Sequence, residues 1–219
     1  MNRITTLIVT MAFLVGVFTP VQVSASASSQ SDIGIKAEYL IKDNDGLHTR
    51  YVVLATNNSE SDVTVNASFH AFDANGSVIK TVYDNAESIK KGQDFIIYGQ
   101  FRNEIASAAS AIKYDFSVND DNCCNYDAIG LDITQDEDRS LTVTGTNYSK
   151  SDVNAVNIRG IFYKDGTPVA FDTTNIADTG YTLRSGNSGT QELCQVPTDY
   201  DDYVITYSAS SVTPNIIYN

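Results

Sequence analysis

The 219-residue chain contains no tryptophan, two histidines, three cysteines, and 14 lysines and arginines against 27 aspartates and glutamates. Each shortage excludes something. Binding nucleic acid or anionic lipid through bulk electrostatics needs clustered cations, whereas this chain has a formal net charge of −13 and no basic run. His48 and His70 lie in different parts of the chain with no second ligand at metal spacing, so no zinc motif forms. A long helical period is also missing. Asn103 to Ala111 is Ala-rich but short, and it predicts a loop or a single turn, because isolated helices under about 12 residues are marginal.

What is present begins with Arg3, an apolar run from Ile4 to Phe18, and Ala25-Ser26-Ala27. Those are the basic, apolar and small-residue parts of a secretory signal peptide, expected over residues 1–27. The run is shorter than the roughly 18 to 20 apolar residues that cross a bilayer. The tail Ser211 to Asn219 lacks the apolar segment of a terminal anchor. The expectation is therefore a secreted, extracellular product with no transmembrane anchor. Removing the leader takes away Arg3 and no acid, moving the charge to −14, which suits solubility outside the cell and disfavours nucleic acid as a partner.

The sharpest internal signal is a repeat. Thr56-Asn57-Asn58-Ser59-Glu60-Ser61-Asp62-Val63 returns 90 positions later as Thr146-Asn147-Tyr148-Ser149-Lys150-Ser151-Asp152-Val153. Aligned without gaps, Phe72 stands opposite Phe162 and Gly76 opposite Gly166. With small insertions Ile89-Lys90-Lys91-Gly92 meets Leu183-Arg184-Ser185-Gly186, and Lys113-Tyr114 meets Thr206-Tyr207. A period this long, present twice, predicts duplicated domains rather than a solenoid, whose units are usually about 20 to 50 residues. The predicted organisation is a first domain at 28–118, an acidic linker at 119–125 and a second domain at 126–219.

Apolar residues alternate within each copy. Leu47, Thr49, Tyr51, Val53 and Ala55 share one face, as do Val63, Val65, Ala67, Phe69 and Ala71, which is the period of a half-buried strand. Asp73-Ala74-Asn75-Gly76 and Lys164-Asp165-Gly166 mark tight turns, since Asn or Asp before Gly tolerates positive φ. In the second copy Val156, Ile158 and Phe162 fall on the opposite parity to Val153, and a bulge would restore the inward face. Together these features predict an all-β chain of two tandem immunoglobulin-like β-sandwich domains.

Phe69-His70-Ala71-Phe72-Asp73 with Gly76 beyond it, then Lys91-Gly92, resembles the FxLYD-type domain, an immunoglobulin-like module of exported and surface proteins. Ile161-Phe162-Tyr163-Lys164-Asp165-Gly166 resembles the same strand and turn less literally. Ala71 and Phe72 stand where the family name has Leu and Tyr. The resemblance implies a fold and a compartment; it brings no common activity, cofactor or ligand.

The candidate sites are few. The repeated motif predicts a turn in which Asn57 and Asn147 bond across the connection while Ser59 and Ser149 close it. Asp178-Thr179-Gly180 is the aspartic-protease triplet, but the other copy offers Asp84-Asn85-Ala86, leaving a lone carboxylate with no partner to set its pKa. Asp43-Asn44-Asp45-Gly46 resembles part of a calcium loop, with Val52 where an EF-hand needs Glu. Asp199, Tyr200, Asp201, Asp202 and Tyr203 combine rings and acids on a predicted loop, a candidate contact for a ligand or cation. Export would permit a disulfide from Cys194 to Cys123 or Cys124, a ring between the two neighbours, or no bond; the first of these would set the angle between the domains. The expected function is a non-catalytic module without cofactor that binds an extracellular protein or glycan. The alternative is a small secreted hydrolase, whose mark would be carboxylates converging to about 5 to 9 Å.

Overall fold

The computed structural model describes residues 32–193, 196–197 and 199–212. The expected signal peptide at 1–27 and Cys194 lie outside the described residues. The chain is all-β, built from several antiparallel sheets. The first half runs β1 (Ile33–Lys42), β2 (His48–Asn57), β3 (Val63–Phe72), β4 (Val78–Ile89), β5 (Asp94–Arg102), helix α1 (Asn103–Ala108) and β6 (Ala111–Asp120). After a 3-10 turn at Tyr126–Ala128, the second half runs β7 (Ile129–Gln135), β8 (Leu141–Asn147), β9 (Val153–Asn154), β10 (Val156–Lys164), β11 (Thr167–Ile176), β12 (Thr182–Leu183), β13 (Ser188–Leu193) and β14 (Asp202–Ser208). The sheets are ordered β1-β2-β5, β4-β3-β6, β13-β8-β7 and β11-β10-β14, with β12-β9 as a small fifth.

The alternating residues do what their period dictates. Tyr51, Val53 and Ala55 of β2 meet Val63, Val65, Ala67, Phe69 and Ala71 of β3 in one buried cluster between the β1-β2-β5 and β4-β3-β6 sheets. Leu47 is the exception and is exposed. Packing here is close enough to dictate composition: a Cβ on Gly99 of β5 would come within 2.6 Å of the Phe69 ring. A second cluster holds Leu141, Val143, Val156, Ile158 and Phe162.

The two copies diverge at Ala155, where the strand is interrupted between β9 and β10 rather than bulged. Val153 pairs with Leu183 in the small sheet, and after the single intervening Ala155 β10 begins in a different pairing, between β11 and β14. That offset moves Val156, Ile158 and Phe162 to the inward parity. It also breaks the ungapped pairing of Phe72 with Phe162: Phe162 is fully buried, whereas Phe72 is half-buried at the sheet end with Lys113 Nζ 5.4 Å from its ring centre. Where β4 carries an irregularity near Ser88, held at a φ of 55°, the second copy inserts the Asp178–Gly180 turn between β11 and β12.

A third cluster joins the two halves. Ile41, Val52 and Ile96 from the β1-β2-β5 sheet pack against Ile161 and Phe171 from the β11-β10-β14 sheet, with Tyr39, Leu54, Tyr98 and Tyr163 around them. The β1-β2-β5 sheet is therefore covered on both faces, once by its own half and once by the other. The segment 119–125 is likewise tied down: β6 runs through Asp120, Asp121 N donates to Asp62 O at 2.8 Å, and Ser211 N donates to Cys123 O at 2.7 Å.

Candidate functional site

The repeated motif is a structural brace, resolved letter by letter. Asn57, with no exposed surface, donates through Nδ2 to Ser61 O (2.9 Å) and Ile89 O (3.1 Å) and accepts at Oδ1 from Ser59 N (3.0 Å). Asn147 repeats this with Ser151 O (2.9 Å), Leu183 O (3.0 Å) and Ser149 N (2.9 Å). Asp62 Oδ1 accepts from Lys91 N at 2.8 Å and Asp152 Oδ1 from Ser185 N at 2.9 Å, so the motif's acid caps the following turn. Val63 and Val153 anchor the motif in the two cores.

The carboxylate of Asp178, expected to stand alone, has three partners: Asn187 Nδ2 at 2.5 Å, Arg184 N at 2.8 Å and Arg184 Nε at 2.7 Å. The Asn187 amide first, then the Arg184 backbone, lower its pKa to about 2. It closes the Asp178–Gly180 turn onto the start of β13.

His48 also has neighbours that spacing alone did not reveal. Asp43, Asp45 and His48 place one ligand atom each within 4.8 Å of one another, the one such group among the described residues. Both carboxylates already have partners. Asp45 Oδ2 lies 2.5 Å from His48 Nδ1, and Arg50 Nε lies 2.8 Å from Asp43 Oδ2. The guanidinium occupies the electrostatic place of a cation, while burial pushes the Asp43 pKa up. His70 is held between Thr81 Oγ1 and Asp115 Oδ2, each at 2.9 Å.

Of the 199–203 loop, Tyr200 is buried and joins the second core, edge-on to Phe162 at 5.3 Å between centroids. Its hydroxyl donates to Arg139 O at 2.9 Å. Tyr203 is half-buried against the same cluster, and Asp202 opens β14. Asp199 pairs with Lys164 at 2.9 Å, and Asp201 Oδ2 accepts from Asp165 N at 2.9 Å. Cys123 and Cys124 are not joined to each other; burial pushes the Cys124 thiol up to about 12.

The sequence did not point to the seam between the halves. Arg159, on the outward parity of β10, reaches across it and donates from Nη1 to Asp84 Oδ2 (2.6 Å) and Ile96 O (2.8 Å), and from Nη2 to Asp84 Oδ1 (3.0 Å) and Asn85 O (2.8 Å). Its guanidinium lies 5.1 Å from the Tyr98 ring centre, a cation–π contact. Beside this clamp opens a cleft of about 290 Å³ lined by Asn85 and Glu87 from the first half and by Asn154, Asn157, Asn175 and Tyr181 from the second. A wider groove of about 810 Å³ lies near Lys36, Lys90 and Lys91. Each of those lysines is paired, with Asp94 at 2.5 Å, with Asp127 at 2.5 Å and with Glu60 respectively. The one available signal for the seam was a charged residue, Arg159, set between the apolar Ile158 and Gly160-Ile161-Phe162.

No family pattern matches the chain, and no curated protein matches it. Among solved structures, a transglutaminase from red sea bream is similar over 80% of this chain and 29% of its own, at 8% identity and a TM-score of 0.25. The chain thus spans less than a third of that protein's length.

Proposed function

We propose that this is an exported, non-catalytic binding module made of two tandem immunoglobulin-like β-sandwiches of the FxLYD type, packed face to face so that the seam between them meets an extracellular protein or glycan. The observation that carries this reading is the Arg159–Asp84 clamp beside the apolar cluster of Val52, Ile96, Ile161 and Phe171. Burying a sheet on both faces costs a chain its freedom to flex there, and what it provides is a cleft whose two walls come from different halves at a fixed separation.

Export is supported by the basic, apolar and small-residue order of the first 27 residues and by the acidic surface. The non-catalytic part is supported by the occupation of the carboxylates that drew attention in the sequence. Asp178 braces a turn, and Asp84 holds Arg159 while accepting from Tyr98 N at 2.9 Å.

The test is retention of cell-surface extract by the immobilised full chain, with the extract untreated, protease-digested or stripped of glycans. Specific retention that is lost after one of the two treatments supports the reading and names the partner class. Retention in no arm, or turnover of extract components by the soluble chain, overturns it.

A further inference from the structure

Resting on that reading, we propose that the cleft at the seam is a binding site for a neutral, hydroxyl-rich glycan, with Tyr181 as the stacking platform and the asparagines as hydroxyl readers. The lining is almost wholly uncharged and polar. Asn85, Asn154, Asn157 and Asn175 converge there with Glu87, and the one cation, Arg159, is spent on Asp84. An amide offers two donors and an accepting oxygen in one plane, which suits adjacent sugar hydroxyls that donate and accept together.

These amides are already oriented by one another. Arg159 Nε donates to Asn157 Oδ1 at 2.8 Å, and Asn157 Nδ2 donates to Asn175 Oδ1 at 3.0 Å. Asn85 Nδ2 donates to Glu87 Oε1 at 2.7 Å, and Asn154 Nδ2 to Ser210 Oγ at 2.8 Å. Each bond fixes one end of a side chain and leaves the other end with capacity: the Asn175 Nδ2 hydrogens, the Asn154 and Asn85 Oδ1 atoms, and Glu87 Oε2. Such pre-orientation lowers the entropy lost on binding.

Tyr181 is 84% exposed at the rim of this cleft. An aromatic ring held in water beside polar readers has no packing role to explain it, and it presents a flat apolar face to the C–H side of a sugar. Its backbone is fixed, since Tyr181 O accepts from Ala155 N at 2.8 Å. The volume of about 290 Å³ falls just below the roughly 300 to 1,000 Å³ of small-molecule clefts, so the site would hold the end of a glycan rather than a long chain. Glu87 and the excess of acidic over basic residues select against acidic sugars.

The experiment presents the full chain to an array of neutral and sialylated or uronic-acid oligosaccharides, followed by titration of the best neutral binder. The expected result is binding to neutral glycans that changes little between 0.1 and about 0.5 M salt. Tyr181→Ala and Asn175→Ala should each weaken it about tenfold or more at unchanged melting temperature, because both side chains act at the surface. Tyr148→Ala, at another exposed ring, is the control and should bind as the parent does. Neutral binding untouched by Tyr181→Ala and Asn175→Ala overturns the site and leaves the binding-module reading standing. If no glycan binds while protease-sensitive extract components are retained, the ligand class is wrong. If neither glycan nor extract is bound, both readings fall.

Discussion

Arg159 and Asp84, 75 positions apart and on different halves of the repeat, form a two-pronged ion pair with Nη1–Oδ2 at 2.6 Å and Nη2–Oδ1 at 3.0 Å. Both side chains are about nine-tenths buried. A paired arrangement of this kind satisfies two planar groups at once, and removing one partner leaves a buried charge without compensation.

Arg159→Met should therefore destabilise the protein by about 3 to 5 kcal/mol, measured by urea unfolding. Adding Asp84→Asn should recover part of that loss, because the stranded carboxylate is then neutral. A double-mutant cycle with coupling below about 0.5 kcal/mol would show that the pair does not clamp the halves.

Separating the chain between Val118 and Tyr126 should yield two fragments that fold, each having its own buried cluster. Each would also expose the face built from Val52 and Ile96 or from Ile161 and Phe171. Mixed together, the fragments are expected to associate, and Phe171→Ala should weaken that association at least tenfold, as followed by sedimentation. Fragments that remain monomeric in the mixture would contradict the role given to this cluster.

Asn57→Ala and Asn147→Ala should cost nearly the same, about 2 to 3 kcal/mol each, because each orphans a backbone carbonyl in the core, Ile89 O in one case and Leu183 O in the other. Chemical denaturation checks the equality. A loss under about 0.5 kcal/mol at either position would mean that water replaces the amide there.

Stability should carry an acid limb from Asp178. Its pKa is about 2 in the folded chain against an ordinary 3.8, so the ionised form is favoured by folding. That contribution is complete above the ordinary value and is lost as pH falls through about 2. The melting temperature of Asp178→Asn should lie below that of the parent at pH 7 and converge with it near pH 2. A gap that widens on acidification would reverse the sign and refute the assignment.

Much of the strand plan was legible in the residues. Val63, Val65, Ala67, Phe69 and Ala71 alternate because one side of β3 faces its own core, and Asp165-Gly166 turns the chain with φ of 48° and 73° at the two residues. The motif around Asn57 and Asn147 also announced its own task, since Asn and Ser two positions apart bond locally. Local chemistry of this kind needs no knowledge of distant chain. What covers the other side of a strand does need it. A period of two states that Arg50, Val52 and Leu54 share a face, and says nothing about the sheet that lies upon it. Only the packed structure placed Ile161 and Phe171 against Val52 and Ile96, set Arg159 against Asp84, and drew Asn85, Asn175 and Tyr181 around one cleft. Those contacts join residues about 60 to 120 positions apart, and in such cases the partner is chosen by how two faces fit and exclude water together, a property that neither face holds in its own sequence.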